Sequence, residues 1–187
     1  MALFPMFVDI KGKKVLIIGG GIVALRKIEK LLPFEPDMKV IAKDFHPDTF
    51  QLLQEKNIPY EQREFRFSDL KGQKIVIVAV DDINLQKQIF EYTRGKNILV
   101  NSVDSPDYCD FIFPAYVKKG DIVIGITTSG NLPGLSAKLR KHIEKNLPEN
   151  LEDIFNQIKK VREELPKGEE RQKKILQLID ELFENNK

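Results

Sequence analysis

Three glycines and a small residue, Gly19-Gly20-Gly21-Ile22-Val23-Ala24, stand in G-x-G-x-x-A spacing directly after the apolar run Val15-Leu16-Ile17-Ile18. Backbone amides at such a turn, and the helix N-terminus that it opens, suit the negative charge of a pyrophosphate. The first glycine permits a tight turn and the second lets backbone approach phosphate. Ala24 keeps the third position small enough for helix and strand to pack. The spacing therefore predicts a dinucleotide held by Gly19, Gly20, Gly21, Ile22, Val23 and Ala24. A ribose would lie about 20 residues on, at the end of the next strand, where Lys43 and Asp44 stand. Asp44 suits the ribose hydroxyls and favours NAD, whereas the cation of Lys43 would suit a 2′-phosphate.

Further acids follow later apolar runs. Val80-Asp81-Asp82 comes after Ile75 to Ala79, and Val80 and Asp81 are expected beside the cofactor. Asp82 either lines the crevice or caps the helix that begins near Asn84. Asp104 lies in Asn101-Ser102-Val103-Asp104-Ser105-Pro106, where a catalytic group would face a nicotinamide; on spacing alone a turn aspartate ahead of a proline is the commoner reading. A hydroxyl- and glycine-rich loop, Thr127-Thr128-Ser129-Gly130, then opens a helix whose exposed amides would attract anions. Between residues 114 and 147, Lys118, Lys119, Lys138, Arg140, Lys141 and Lys145 face only Asp121 and Glu144. That segment suits a polycarboxylate, or is a solvated basic face. His46, His142 and Cys109 have no metal-ligand spacing, and no metal site is expected.

The elements that must position these groups follow from the hydrophobic pattern. Strands are expected at 15–18, 38–42, 59–63, 75–80 and 98–103, with helices at 22–32, 46–55 and 84–93. Alternating strands and short helices imply a parallel sheet covered on both faces, a Rossmann-like α/β fold. The rhythm changes near residue 113. Phe111 to Val117, a Lys118-to-Asp121 turn and Ile122 to Ile126 read as strand, turn and strand. Three amphipathic helices then follow, the first carrying Leu135, Leu139, Ile143 and Leu147 on one face. Their stripes continue through Leu151 to Val161 and Ile175 to Phe183. The expected divisions are 1–113, 114–147 and 148–187.

Composition limits the alternatives. A chain of 187 residues with 42% hydrophobic and 31% charged residues can bury a real core. No stretch is apolar enough to span a membrane, and the N-terminus does not read as a signal peptide. One cysteine excludes an internal disulfide framework and fits a reducing cytoplasm. A net charge of +2 gives no case for nucleic-acid binding.

Taken in order, Phe4-Pro5-Met6-Phe7, Gly19 to Ala24 with Arg26-Lys27, Ala79 with Asp81-Asp82, Asn101 to Asp104, Cys109-Asp110-Phe111-Ile112 with Pro114-Ala115, and Thr127-Thr128 through Pro133 to Leu139-Arg140 resemble the precorrin-2 dehydrogenase family. The likeness spans about residues 4–147. It departs from the family pattern at Val80, Gln86, Ser129 and Leu132. The resemblance implies an NAD-binding Rossmann domain, a dimerisation and substrate-binding region, and C-terminal helices, assembled as a homodimer. It also implies NAD-dependent oxidation of precorrin-2 to sirohydrochlorin in sirohaem biosynthesis. In that reading Asp104 is the catalytic base, and Thr128, Ser129, Gly130 and Arg140 meet the substrate. The family allows iron insertion as well, but the hard, sparse oxygen groups here lead us to expect only weak ferrochelatase activity. A non-catalytic NAD-sensing regulatory dimer is the alternative; it would keep the glycine loop without needing Asp104.

Overall fold

The computed structural model describes residues 3–184. The chain divides into two compact units, Phe4–Phe113 and the chain from Pro114 onward.

In the first unit, β1 (Lys14–Ile18) leads into α1 (Ile22–Leu31), β2 (Asp37–Ala42), α2 (Pro47–Glu55) and β3 (Tyr60–Gln62). β4 (Ile75–Val78), α3 (Ile83–Thr93) and β5 (Leu99–Ser102) complete it. The sheet order is β3-β2-β1-β4-β5, and every pairing is parallel. Both faces are covered, which is why β1 and β4 are unbroken apolar runs. Val15, Ile17, Val40, Ile75 and Ile77 pack with Ala24, Ile28 and Leu31 of α1 and Leu53 of α2. Leu16, Ile18, Val76, Val78 and Val100 pack on the opposite face with Ile89 of α3.

The strand order reverses between β1 and β4. Parallel strands bring all their carboxyl ends to one edge, so this reversal opens a crevice there between the loops after β1 and β4.

The element ends differ from the hydrophobic pattern in small, explicable ways. β4 stops at Val78, although Ala79 N–H still reaches the Ile18 carbonyl at 2.7 Å. α1 yields at Leu32 to a short 3-10 turn that takes Pro33 near its start. Asp82 caps α3, its carboxylate accepting from the amides of Asn84 and Leu85 at 3.0 Å each. The cap reading of Asp82 is therefore the one observed.

In the second unit, β6 (Ala115–Lys119) and β7 (Ile122–Ile126) form an antiparallel hairpin. The strand begins only after Pro114, which has no N–H to give a ladder. α4 (Pro133–Asn146), α5 (Leu151–Glu164) and α6 (Glu169–Glu184) follow. Val117, Leu151 and Ile154 are buried. The α4 stripe is not: Leu135 is 47% and Leu139 40% exposed.

Candidate functional site

The glycine loop leaves the carboxyl end of β1. Gly19 has φ +116°, and a Cβ there would come within 2.3 Å of the Ala79 carbonyl oxygen. A Cβ on Gly20 would meet the Asp44 carbonyl oxygen at 2.4 Å. The fold itself therefore demands these two glycines. Gly21 is different: an ordinary extended residue at the N-cap of α1, with nothing within 4 Å of an added Cβ. No side chain caps α1 and no acid sits in its first turn. The first-turn amides thus keep their capacity for an anion, and the space above Gly21 is open to one. Ala24 is fully buried against the sheet. The three small positions thereby divide as a pyrophosphate site requires, into turn, approach and packing.

Lys43 and Asp44 follow β2 at the same sheet edge. Lys43 Nζ pairs with Glu64 at 2.8 Å, and that hydrogen bond and charge hold the ammonium pKa above its ordinary value. The Lys43 cation is thus already engaged, while Asp44 adjoins it at the end of β2. Val80 and Asp81 follow β4, with Asp81 exposed. Asp104 follows β5, two positions after Ser102, with its backbone in the left-handed region at φ +60°. Aspartate tolerates that region better than most residues. The sheet therefore gathers Gly19 to Ala24, Lys43, Asp44, Val80, Asp81 and Asp104 on the loops of one edge.

The loop bearing Asp104 is anchored at both sides. Asp110 N–H donates to the Val100 carbonyl at 2.8 Å, and Val100 N–H returns a bond to the Asp110 carboxylate at 2.8 Å. Arg94 grips the same carboxylate through two nitrogens, at 2.6 and 2.7 Å. Burial alone would raise the Asp110 pKa, but Arg94 and the Val100 amide outweigh it and hold the carboxyl below its ordinary range. Cys109 is half-buried, receiving Ser102 N–H at 3.2 Å and donating to the Ser102 carbonyl at 3.1 Å. Burial pushes its thiol pKa up, as for a packing cysteine rather than a reactive one.

Two polar side chains at this end of the sheet, Lys27 and Gln86, carry contacts that the sequence did not assign to them. Lys27 lies on the inward stripe of α1 beside Ala24, Ile28 and Leu31. Its Nζ donates to Asn101 Oδ1 at 3.3 Å and sits 4.0 Å from the centre of the Phe113 ring. Among the described residues no carboxylate is within ion-pair distance of it. Burial, then the neighbouring charge of Lys30, push its pKa down to about 8; Cys109 and Asp104 pull the other way. A lysine interrupting an apolar stripe was the available signal. Gln86, also buried, donates from Nε2 to the carbonyls of Val80 and Val103. Its signal was weaker, since a glutamine on a short helix is usually solvated.

The remaining expected residues belong to the second unit. Thr128 Oγ1 accepts Leu132 N–H at 3.1 Å and hydrogen-bonds Ser136 Oγ at 3.1 Å, tying the loop to the start of α4. Ser129 and Gly130 both have positive φ, at 54° and 81°. Arg140 pairs with Glu144 at 2.6 Å, one turn along α4.

Sheet order, crevice and glycine loop define a dinucleotide-binding protein of the doubly wound α/β class. The chain belongs to the family described as "Putative NAD(P)-binding", whose model matches residues 6–115. It is similar to the siroheme synthase of Ruthia magnifica subsp. Calyptogena magnifica, with 40% identity over 148 residues, which are 79% of this chain and 31% of that protein. The siroheme synthase of Blochmanniella floridana is 36% identical over 148 residues, covering 79% and 32% of the two chains. This chain thus spans about a third of the length of the curated relatives it matches. Among solved structures it resembles "SirC, precorrin-2 dehydrogenase", with a TM-score of 0.82 and 20% identity over 96% of this chain and 90% of that one. That likeness shows the fold.

Proposed function

We propose that this protein is an NAD-dependent precorrin-2 dehydrogenase, forming sirohydrochlorin in sirohaem biosynthesis. The observation that carries the reading is one sheet edge bearing both an open, uncapped glycine loop at α1 and an anchored aspartate, Asp104, after β5. Similarity to siroheme synthases over most of the chain supports the substrate class.

The oxidation removes a hydride and a proton from the macrocycle. Bound NAD+ supplies the two-electron acceptor for the hydride. Gly19, Gly20, Gly21 and the amides of Ile22, Val23 and Ala24 would hold the pyrophosphate; Asp44 would take the ribose, and Val80 and Asp81 would flank the cofactor. Asp104 accepts the proton as the conjugation extends, then releases it to solvent. Asp104 offers a carboxylate, a weak base. Hydride loss makes the departing proton acidic, so a weak base in position suffices. The hydroxyls and amides of Thr128, Ser129 and Gly130, with Arg140, suit the substrate's carboxylates.

The domain roles follow the same reading: 1–113 holds NAD, 114–147 serves dimerisation and substrate, and 148–187 is a helical region. The exposed leucines of α4 support a homodimer, since such a stripe is ordinarily covered. The lone thiol of Cys109 supports a cytoplasmic location.

The test is spectroscopic. Purified protein with NAD+ and precorrin-2 is expected to yield NADH and sirohydrochlorin absorbance in equal amounts. Asp104→Asn is expected to bind NAD+ normally and lose about two to four orders of magnitude in turnover. No turnover by the wild type, with NAD+ still bound, would favour an NAD-sensing dimer. Adding Fe2+ to the product separately tests chelation.

A further inference from the structure

Beyond Ser102 and Val103, the β4–β5 ladder ends. Its last backbone bond runs from Val103 N–H to the Val78 carbonyl at 3.0 Å. From there the two loops are joined by a side chain. Gln86, 4% exposed on the first turn of α3, donates through Nε2 to the Val80 carbonyl at 2.9 Å and the Val103 carbonyl at 3.2 Å. These carbonyls belong to the residues immediately before Asp81 and Asp104. Two acceptors facing one group require two hydrogens, which only the amide nitrogen can supply.

The arrangement is poor for the fold alone. It turns Gln86 Oε1 into the interior, where it has no partner among the described residues. The Ser102 hydroxyl, 3% exposed, is likewise unpartnered. Buried oxygens without partners cost stability, so such a pair calls for a reason other than packing. The carbonyl pair supplies one: it lies on the two loops that border the crevice on the β4 and β5 side.

We propose that Gln86 is a positioning residue, a clamp that sets the separation of the loops after β4 and β5 and so fixes Asp104 relative to the nicotinamide end of the bound dinucleotide. This rests on the reading of Asp104 as the base. A displacement of about 1 Å in a reacting group can lower turnover about a hundredfold, so a clamp on its backbone is a strong lever.

Two variants of the full chain test it. Gln86→Met keeps length and removes both donors. Amide exchange at Val103 should speed about tenfold while β1 and β2 exchange as in the wild type. NAD+ affinity should change less than about threefold, and precorrin-2 turnover should fall about tenfold or more with KM little altered. In Gln86→Glu an ionised carboxylate faces two carbonyls, whereas its protonated form regains one donor. Turnover relative to wild type should therefore recover as pH falls, which a packing defect would not produce. Wild-type exchange at Val103 in Gln86→Met, or equal relative turnover of Gln86→Glu at every pH, would overturn the clamp. If the wild type itself does not oxidise precorrin-2, the proposed function fails, and the exchange measurement still decides whether Gln86 joins the loops.

Discussion

Lys27 and Asn101 are joined at 3.3 Å, a lysine of α1 meeting an asparagine of β5 over the covered face of the sheet. Asn101 in turn donates to the Phe111 carbonyl at 2.9 Å. A cation on a helix thereby reaches the far end of the loop that carries Asp104, and it also sits 4.0 Å from the centre of the Phe113 ring. That contact is cation–π in character and keeps the ammonium in a half-buried place.

Stability should consequently rise in alkali. The Lys27 pKa is lowered from 10.5 to about 8 on folding, mainly by burial. Between those values the unfolded chain binds more protons than the native one, so unfolding free energy increases with pH. The total gain is roughly 3 kcal/mol at most. Urea titrations from pH 7.5 to 10.5 should show this rise, and Lys27→Met should flatten it. Parallel curves for the two proteins would exclude Lys27 as its source.

The glycines of the loop should separate by phenotype. Gly21→Ala places a Cβ in open space at an unstrained angle. Its stability should stay within about 1 kcal/mol of wild type, while NAD+ affinity falls about tenfold or more because that space is needed for phosphate. Gly19→Ala drives a Cβ to within 2.3 Å of a backbone oxygen at positive φ and should abolish folding. Fluorescence titration with NADH, beside circular dichroism, distinguishes the two effects. Unchanged affinity in Gly21→Ala would remove the loop from the cofactor site.

Glu64 should set the preference between the two nicotinamide cofactors. While it holds Lys43 at 2.8 Å, that cation is engaged, and the pairing is exposed enough to be released by substitution. Glu64→Ala frees Lys43 to meet a 2′-phosphate. NADP+ should then bind several-fold more tightly with NAD+ little changed, and Lys43→Ala should reverse the gain. Equal changes for both cofactors, read by calorimetry, would show that Lys43 does not face the ribose.

Asp110 should make the protein sensitive to acid. Its folded pKa lies below the ordinary value, so its stabilisation is full above about 3.9 and is lost as pH falls through the folded value. Asp110→Asn should cost about 1–2 kcal/mol at pH 7, allowing for the partial exposure of Arg94. The difference from wild type should shrink at low pH. A constant difference would attribute the loss to packing.

Much of this was legible because it depends on local constraint. Gly19 announces a turn that other residues cannot make, and β1 and β4 announce a doubly covered sheet by their unbroken apolar runs. Asp82 was ambiguous for a local reason: a cap and a crevice acid look alike until the helix start is known. Lys27 and Gln86 were hidden because their partners come from folding. Gln86 meets carbonyls 6 and 17 residues away, and Lys27 meets Asn101, 74 residues along the chain. The stripe on α4 was readable as amphipathic, but amphipathicity alone does not say what would cover Leu135 and Leu139, which stand exposed.

The pairing of Asp110 with Val100 has an effect on the whole sheet. β5 is an outer strand, and the outward amides and carbonyls of such a strand offer a template to any other extended chain unless they are answered. Asp110 answers both the N–H and the C=O of Val100, placing a charged, arginine-held side chain where an intruding strand would have to begin. The loop that presents Asp104 therefore also covers this outer strand of the sheet. Engineering that loop for a new substrate would put at risk the protein's resistance to aggregation, and the cost would appear first in expression yield rather than in turnover.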